Sequence, residues 1–547
     1  MIQTKQLVMC LGGMLVWPGC NSDANPQPRF IIDSATHTLD PISSPSLDYP
    51  GIPGVMNADD DNQDGTTDWK ESAFNVEDND YTSLTISSEK MVPVVLRIEG
   101  QKVRIWHDGE KVLEDSGSWS PEPSAEVTIY VEFGATLASA LLTVSEEDSE
   151  EMVTTHLTAS PLILGNHTQV TERAWVMRLN YSDYSNVAMV NDMSAVLGDR
   201  LELVSDSRYN YDVWVQDEFE LSSMVSGESR MDVVIDSIRD GQGQQGLDDL
   251  PEDMIEGEDT IVRTWGSGYA STYDSFGNLE VSPPMSINGV DYPYGRIYYG
   301  KKGSQGPIDA LTEKLDSQKV QDPFFVDTTW LCVGHIDEFT SFVPDPTAPR
   351  GFRFVFADTR SGWALMDDLD SSMALPKYAP QNPYQGHGIA SVGEMVNKAG
   401  LRSYNEDVQQ MHLDPILQIF KDEFALQDEE IILLPSVFHE EYYGQGVCGG
   451  VALVPGAINM LVVNDTDGAS HAFMADPFFR ESVSSQAGDT FIAAYDNVMP
   501  ESIQTHYVDD FQVYHLGLGE VHCGTNSLRT PTDGWWEDAA HLLKGSE

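Results

Sequence analysis

Gly519-Glu520-Val521-His522-Cys523-Gly524-Thr525-Asn526 sets a cysteine between a histidine and a glycine, just after an alternating segment marked by Phe511, Val513 and His515. Read alone, Cys523 is a candidate nucleophile in a residue class that is more often buried and structural. Two earlier segments give it company: Trp214-Val215-Gln216-Asp217-Glu218-Phe219-Glu220 and Gly334-His335-Ile336-Asp337-Glu338-Phe339. Together the three supply a thiol, an imidazole and two carboxylates. A guanidinium is planar, rich in N–H donors and protonated at physiological pH. Attack on its central carbon needs carboxylates to hold it, a thiolate to add and an acid to release ammonia. The three segments contain that set.

Composition bounds the rest. A chain of 547 residues exceeds one ordinary core and points to about two to four domains. At 41% hydrophobic and 22% charged it is globular. Its 88 acidic residues outweigh 30 basic ones, for a net charge of −58. Nucleic acid, which is bound by clustered Lys and Arg, is therefore excluded as an expected partner. The excess suits divalent cations, basic substrates or an acidic surface in a saline habitat. Residues 1–20 read as an export signal: Lys5 is their only charge, and the apolar run 7–16 is too short to span a bilayer. Gly19-Cys20 resembles a lipoprotein cleavage site, with acylation of Cys20 as the one expected membrane contact; the chain is expected to be secreted, periplasmic or surface-anchored. Beyond the leader, Cys332, Cys448 and Cys523 are too few for a disulfide framework and leave at least one free thiol. Cys332 and Cys448 are expected to be buried and apolar in role.

Residues 21–50, rich in Pro, Ser, Asp and Asn, read as a tether. From 51 to 156 the pattern is β: Val127, Ile129, Val131 and Phe133 alternate with polar neighbours, and His107-Asp108-Gly109-Glu110 is a hairpin turn. A small immunoglobulin-like β-sandwich is expected there, with the acidic run 146–151 as a loop. No internal repeat is visible. From 157 to 547 strand-like and helix-like segments alternate, as in an α/β domain. Pro307 starts a helix burying Ile308, Leu311 and Leu315, and Asp414-Pro415 opens one with Ile416, Ile419, Phe420 and Phe424 on one side, followed by strand 431–434.

The three segments, with Asp274-Ser275-Phe276-Gly277-Asn278-Leu279-Glu280-Val281-Ser282-Pro283-Pro284 between the first two, resemble in order the catalytic domain of the protein-arginine deiminases. These are calcium-dependent enzymes that convert peptidyl-arginine to citrulline. The resemblance implies a five-bladed α/β propeller of the pentein type with a central active site. It implies Cys523 as nucleophile forming a thiouronium intermediate, His335 as general acid and base, and Asp217 and Asp337 as substrate carboxylates. Trp214 would line the arginine stem, and the nearby cations would lower the Cys523 pKa.

Calcium follows from the same resemblance. Gln216, Glu220 and Glu280, with the carbonyls of Phe276 and Leu279, match one family site; Glu218, Asp236, Ser237 and Asp240 match another, Asp240 replacing an asparagine. Oxygen-only sets suit Ca²⁺. A third candidate is read directly from spacing. Residues 60–71 fit the twelve-residue loop pattern, with Asp60, Asn62, Asp64, Asp68 and Glu71 as ligands and Thr66 lending its carbonyl.

Departures from the family bear on substrate. Arg239 matches a substrate-binding arginine, but its family partner is Gly241 here, and Leu516-Gly517-Leu518 replace another entrance arginine. Only residues 51–156 separate tether and catalytic domain, room for one β domain. The expected activity is calcium-dependent deimination of arginine in proteins or peptides. The alternatives are a deiminase for free arginine or another small guanidino compound, and an inactive calcium-binding surface protein.

Overall fold

The computed structural model describes residues 30–33, 38–39, 51–59, 67–70, 74, 80–92, 94–146, 152–182, 184–227, 229–239, 246–255, 257, 259–379, 387–443 and 446–543. The leader, the run 147–151, Gly241, Asp240, Asp60, Asn62, Asp64, Thr66 and Glu71 lie outside the described residues.

The N-terminal unit is a nine-stranded sheet that curls on itself rather than two separate layers. Its pivot is the strand Val94–His107, which pairs with Ser139–Glu146 along its first half and with Ser124–Phe133 along its second. Met56, beyond the strand Ile52–Gly54, bridges back to Phe133 and nearly closes the curl. The alternation read at 127–133 is real burial: Val127, Ile129, Val131 and Phe133 all face the core. Asp108 and Gly109 turn the hairpin with φ of 49° and 79°, the left-handed pair a two-residue turn needs. Part of the expected tether belongs to this sheet, because Phe30–Asp33 pairs antiparallel with Thr85–Ser88. Backbone pairing across fifty residues leaves no local pattern, and the polar flanks of this segment hid it.

Five further sheets share one plan: a first strand pairs antiparallel with a second, which pairs parallel with a third. The first strands are Phe219–Ser226, Leu279–Val281, Thr340–Pro344, Leu461–Asn464 and Thr525–Arg529. Parallel pairing requires a crossover, and helices such as Asp309–Ser317 and Thr490–Val498 supply it. The fifth sheet joins the two ends of the domain, since Thr525–Arg529 pairs with Thr171–Met177. The pairings thus form the repeated α/β units of a pentein fold.

The largest core lies between these sheets and the helix Asp414–Phe424. Pro415 opens that helix, and Ile416, Phe420 and Phe424, spaced four apart, are buried. Ile419 is 39% exposed, so the buried stripe is narrower than expected. The helix predicted at Pro307 begins at Asp309 and buries Leu311 and Leu315, with Ile308 before its first turn. Met224, Met231, Val233 and Ile261 of the first of these sheets join the core of the N-terminal unit and fasten the two together. Among the described residues no helix is long and apolar enough to cross a membrane.

Cys332 and Cys448 form a disulfide across 116 residues, which corrects their expected role as separate apolar residues. Two cysteines so far apart carry no pairing signal until the fold brings them together. The bond ties the segment leading to His335 to the hairpin strand Gly446–Ala452, beside backbone bonds between Cys332 and Gly450 and between Gly450 and Trp330.

Candidate active site

Each of the five first strands is entered through a short turn, and the turns meet. Aligned on their strands, with the third lying one residue further from its strand Thr340–Pro344, they read Gln216-Asp217-Glu218-Phe219, Phe276-Gly277-Asn278-Leu279, Ile336-Asp337-Glu338-Phe339, Ile458-Asn459-Met460-Leu461 and His522-Cys523-Gly524-Thr525. The second residue of each turn faces the same small volume. Here is a repeat that sequence inspection missed, although Asp-Glu-Phe occurs twice at equivalent places.

Cys523 is 5% exposed and is the free cysteine among the described residues. Its Sγ lies 3.5 Å from Asp337 Oδ2. Asn459, absent from the sequence-based set, clamps it from the other side. The Cys523 backbone N–H donates to Asn459 Oδ1 at 3.1 Å. An N–H can only donate, so the amide orientation is settled and Nδ2 points at Sγ, 3.2 Å away. Burial pushes the Cys523 thiol well above its ordinary pKa, and the charges of Asp337 and Asp217 add to this; a backbone hydrogen bond from Glu520 works the other way. The direction is opposite to the expected lowering: a buried thiol facing two carboxylates holds its proton.

His335, 1% exposed, sets its Nε2 at 2.7 Å from the carbonyl of Thr272. A carbonyl only accepts, so Nε2 carries hydrogen. Nδ1 then faces Asp217 Oδ1 at 3.8 Å and has no hydrogen-bond partner among the described residues. The Glu338 side chain accepts from the backbone of His335 and Gly334 at 2.9 and 3.1 Å, fixing the turn. A methyl group on Gly277 would sit 2.7 Å from His335 Nδ1 and 3.1 Å from Asp337 Oδ2. Only glycine leaves that gap open between imidazole and carboxylate.

Asp217 is held above the usual carboxylate range by burial, with Asp337 adding to the rise and His335 and Arg239 opposing it. The Arg239 guanidinium reaches inward, 3.6 Å from Asp217 Oδ2 and bonded to Ser275 Oγ. Trp214 stacks edge-on against Tyr514 with ring centres 5.7 Å apart. A methyl group on Gly519 would lie 2.5 Å from the Trp214 ring and 3.2 Å from Cys523 Cβ, so the Trp214 ring is seated close beside the thiol. His522, also absent from the expected set, binds Asp337 Oδ2 through Nδ1 at 2.9 Å.

The candidate calcium residues gather around the same turns. Gln216, Glu220, Leu279 and Glu280 line one pocket, and Gln216 Nε2 lies 3.4 Å from the Phe276 carbonyl. Burial lifts Glu220 to about 7 and Glu280 to about 8. Such carboxylates ionise readily only beside a cation. Both oxygens of Glu218, which is fully buried, lack a hydrogen-bond partner among the described residues. Ser237 donates its backbone N–H to the Glu218 carbonyl at 2.9 Å, while Asp236 accepts from Thr264 at 2.6 Å. Oxygen-rich, under-satisfied sets of this kind fit Ca²⁺. Of the loop at 60–71, Asp68 is described, and its N–H donates to the Asp59 carbonyl at 2.8 Å.

The human protein-arginine deiminase type-4 is 30% identical over 397 residues, covering 69% of this chain and 55% of its own length. The human type-3 protein is 32% identical over 369 residues, 64% of this chain and 51% of its length, and human type-1 is 29% identical over 399 residues, 69% and 56%. The chain thus spans about half the length of the curated relatives it matches. The model of the protein-arginine deiminase family matches residues 150–537, which include all five turns, and the chain belongs to that family.

Proposed function

We propose that this chain is a calcium-dependent deiminase that hydrolyses arginine in proteins or peptides to citrulline and ammonia. The observation that carries the reading is the meeting of Cys523, His335, Asp217 and Asp337 in one buried volume. A guanidinium placed between Asp217 and Asp337 neutralises the two charges that add to burial in holding the Cys523 thiol protonated. Substrate entry therefore favours the thiolate it needs. The thiol passes its proton to His335 Nδ1, Sγ adds to the guanidinium carbon, and the His335 imidazolium gives that proton to the departing ammonia as the C–N bond breaks. The resulting thiouronium is attacked by water that has lost a proton to Nδ1, and as the C–S bond breaks the new hydroxyl gives up its proton to the released ammonia, leaving citrulline, ammonium and thiolate. Asn459 Nδ2 supports the sulfur charge at both ends of the cycle.

Calcium, when bound, supplies positive charge among the buried carboxylates of the Asp217 turn. Gln216, Glu220 and Glu280, with the carbonyls of Phe276 and Leu279, would hold one ion; Glu218, Asp236, Ser237 and Asp240 would hold another. Since Asp217 lies between Gln216 and Glu218, residues that would hold the two ions flank the substrate carboxylate along the chain. The Cys332–Cys448 disulfide fits export to an oxidising compartment, as does the apolar leader.

One observation favours a second reading, a deiminase for free arginine. The turn beside Trp214 carries Leu516, Gly517 and Leu518, with no cation for a peptide backbone. The discriminating experiment measures ammonia and citrulline from a blocked arginine amide and from free arginine, with calcium and with chelator. Calcium-dependent turnover of the blocked substrate supports the first reading. Turnover of free arginine alone overturns it.

A further inference from the structure

His167, Glu280 and His522 meet beneath the active site, and all three are buried. His167 sits in the turn after Ile163–Leu164, Glu280 on the strand Leu279–Val281, and His522 beside the nucleophile. The outer nitrogen of each ring is already engaged. His167 Nδ1 lies 3.3 Å from the Phe342 carbonyl and 3.2 Å from Ser341 Oγ. His522 Nδ1 lies 2.9 Å from Asp337 Oδ2. Carbonyl and carboxylate oxygens accept, so in the neutral rings both protons sit on Nδ1 and both Nε2 atoms offer lone pairs. Those lone pairs converge on one carboxylate: His167 Nε2 is 3.7 Å from Glu280 Oε2 and His522 Nε2 is 3.7 Å from Glu280 Oε1.

We propose that His167, His522 and Glu280 form a binding site for a divalent transition ion of the zinc class. Donors about 2.0–2.1 Å from a shared zinc stand roughly 3.3 Å apart in a tetrahedron; one donor atom from each of the three residues lies within 4.8 Å of the others, so the set contracts onto the ion when it binds. Two imidazoles and a carboxylate suit zinc better than calcium, which takes oxygen ligands. The arrangement also has the outer partners that metal-binding histidines use, a carbonyl for one ring and a carboxylate for the other. Arg529 lines the same pocket, but its guanidinium is turned to Thr171 Oγ1 and the Val462 carbonyl, both at 2.7 Å. Glu280 is shared with the oxygen-donor set above. Zinc and calcium therefore exclude one another, and zinc inhibits; this half of the proposal rests on the calcium reading.

The test uses the untagged full chain, stripped with chelator, and titrates ZnCl₂ alone by calorimetry and CoCl₂ by visible absorption. His167→Asn removes one imidazole and leaves every proposed calcium ligand in place. Zinc affinity is expected to fall by more than the roughly 10–100-fold that loss of an outer partner costs. The cobalt bands are expected to weaken, and calcium-dependent turnover to persist without zinc inhibition. Equal zinc affinity in wild type and variant, or no zinc uptake by wild type, overturns the site. Uptake that is lost in the variant yet indifferent to calcium keeps the site and overturns the competition.

Discussion

Replacing Asn459 with aspartate isolates what its amide does for the nucleophile. The substitution keeps the shape and the Oδ1 that accepts from the Cys523 N–H at 3.1 Å. It removes the N–H that lies 3.2 Å from Sγ. A hydrogen bond to a charged group contributes about 1.5–3 kcal/mol, so kcat/KM is expected to drop by about 10- to 150-fold. The loss carries a pH signature. While protonated, the new carboxyl can donate to sulfur. Once ionised it faces the thiolate, and two unit charges at that distance repel by about 5 kcal/mol at an effective dielectric near 20. The deficit therefore widens as pH rises. Turnover of a blocked arginine amide is measured from mildly acidic to mildly alkaline pH. Alkylation by iodoacetamide, a neutral reagent, reports the thiolate independently of turnover. Coincident alkylation–pH curves for variant and wild type, at equal melting temperature, would refute the reasoning.

Cys523→Ala is expected to abolish turnover with the melting temperature preserved; residual activity above background would remove it as nucleophile. Gly277→Ala drives a methyl group to 2.7 Å from His335 Nδ1, so kcat is expected to collapse while circular dichroism stays native, and a wild-type rate would disprove the close approach. Glu220 and Glu280, raised by burial from 4.5 to about 7 and 8, favour the folded state while protonated; that contribution is lost as pH rises from the ordinary carboxyl value of 4.5 up to those raised values. The melting temperature in chelator is thus expected to fall across this window and calcium to remove the slope, and a flat profile in chelator would count against it. Cys448→Ser opens a loop of 116 residues whose closure is worth about 4–5 kcal/mol in the chain-entropy model. A lower melting temperature with reduced kcat is expected, and unchanged thermal unfolding would show that the bond does not brace the His335 segment.

Much of the site could be read from the chain because its residues cluster in short blocks. Asp217 and Asp337 each sit in an Asp-Glu-Phe turn, and Cys523 lies in an equally compact motif. Asn459 escaped because its turn, Ile458-Asn459-Met460-Leu461, holds no second chemical group; only its place two residues before an apolar strand matches the others. His522 was in plain view beside the cysteine, yet its bond to Asp337 spans 185 residues. The disulfide and the strand Phe30–Asp33 were hidden for the same reason: their partners are chosen by sheet closure, which no local window contains. Elements with a strong period, such as 127–133 and the helix at Pro415, were legible because burial imposes that period directly.

The pairing of Thr525–Arg529 with Thr171–Met177 has a consequence for when chemistry can begin. The nucleophile rides on the strand that completes the ring, so it is made after the imidazole and both carboxylates have left the ribosome. A nascent chain halted before His522 has four of the five turns and no thiol among them. On the proposed reading as an exported deiminase, a chain that leaves the cytosol before it folds would complete its active site only outside.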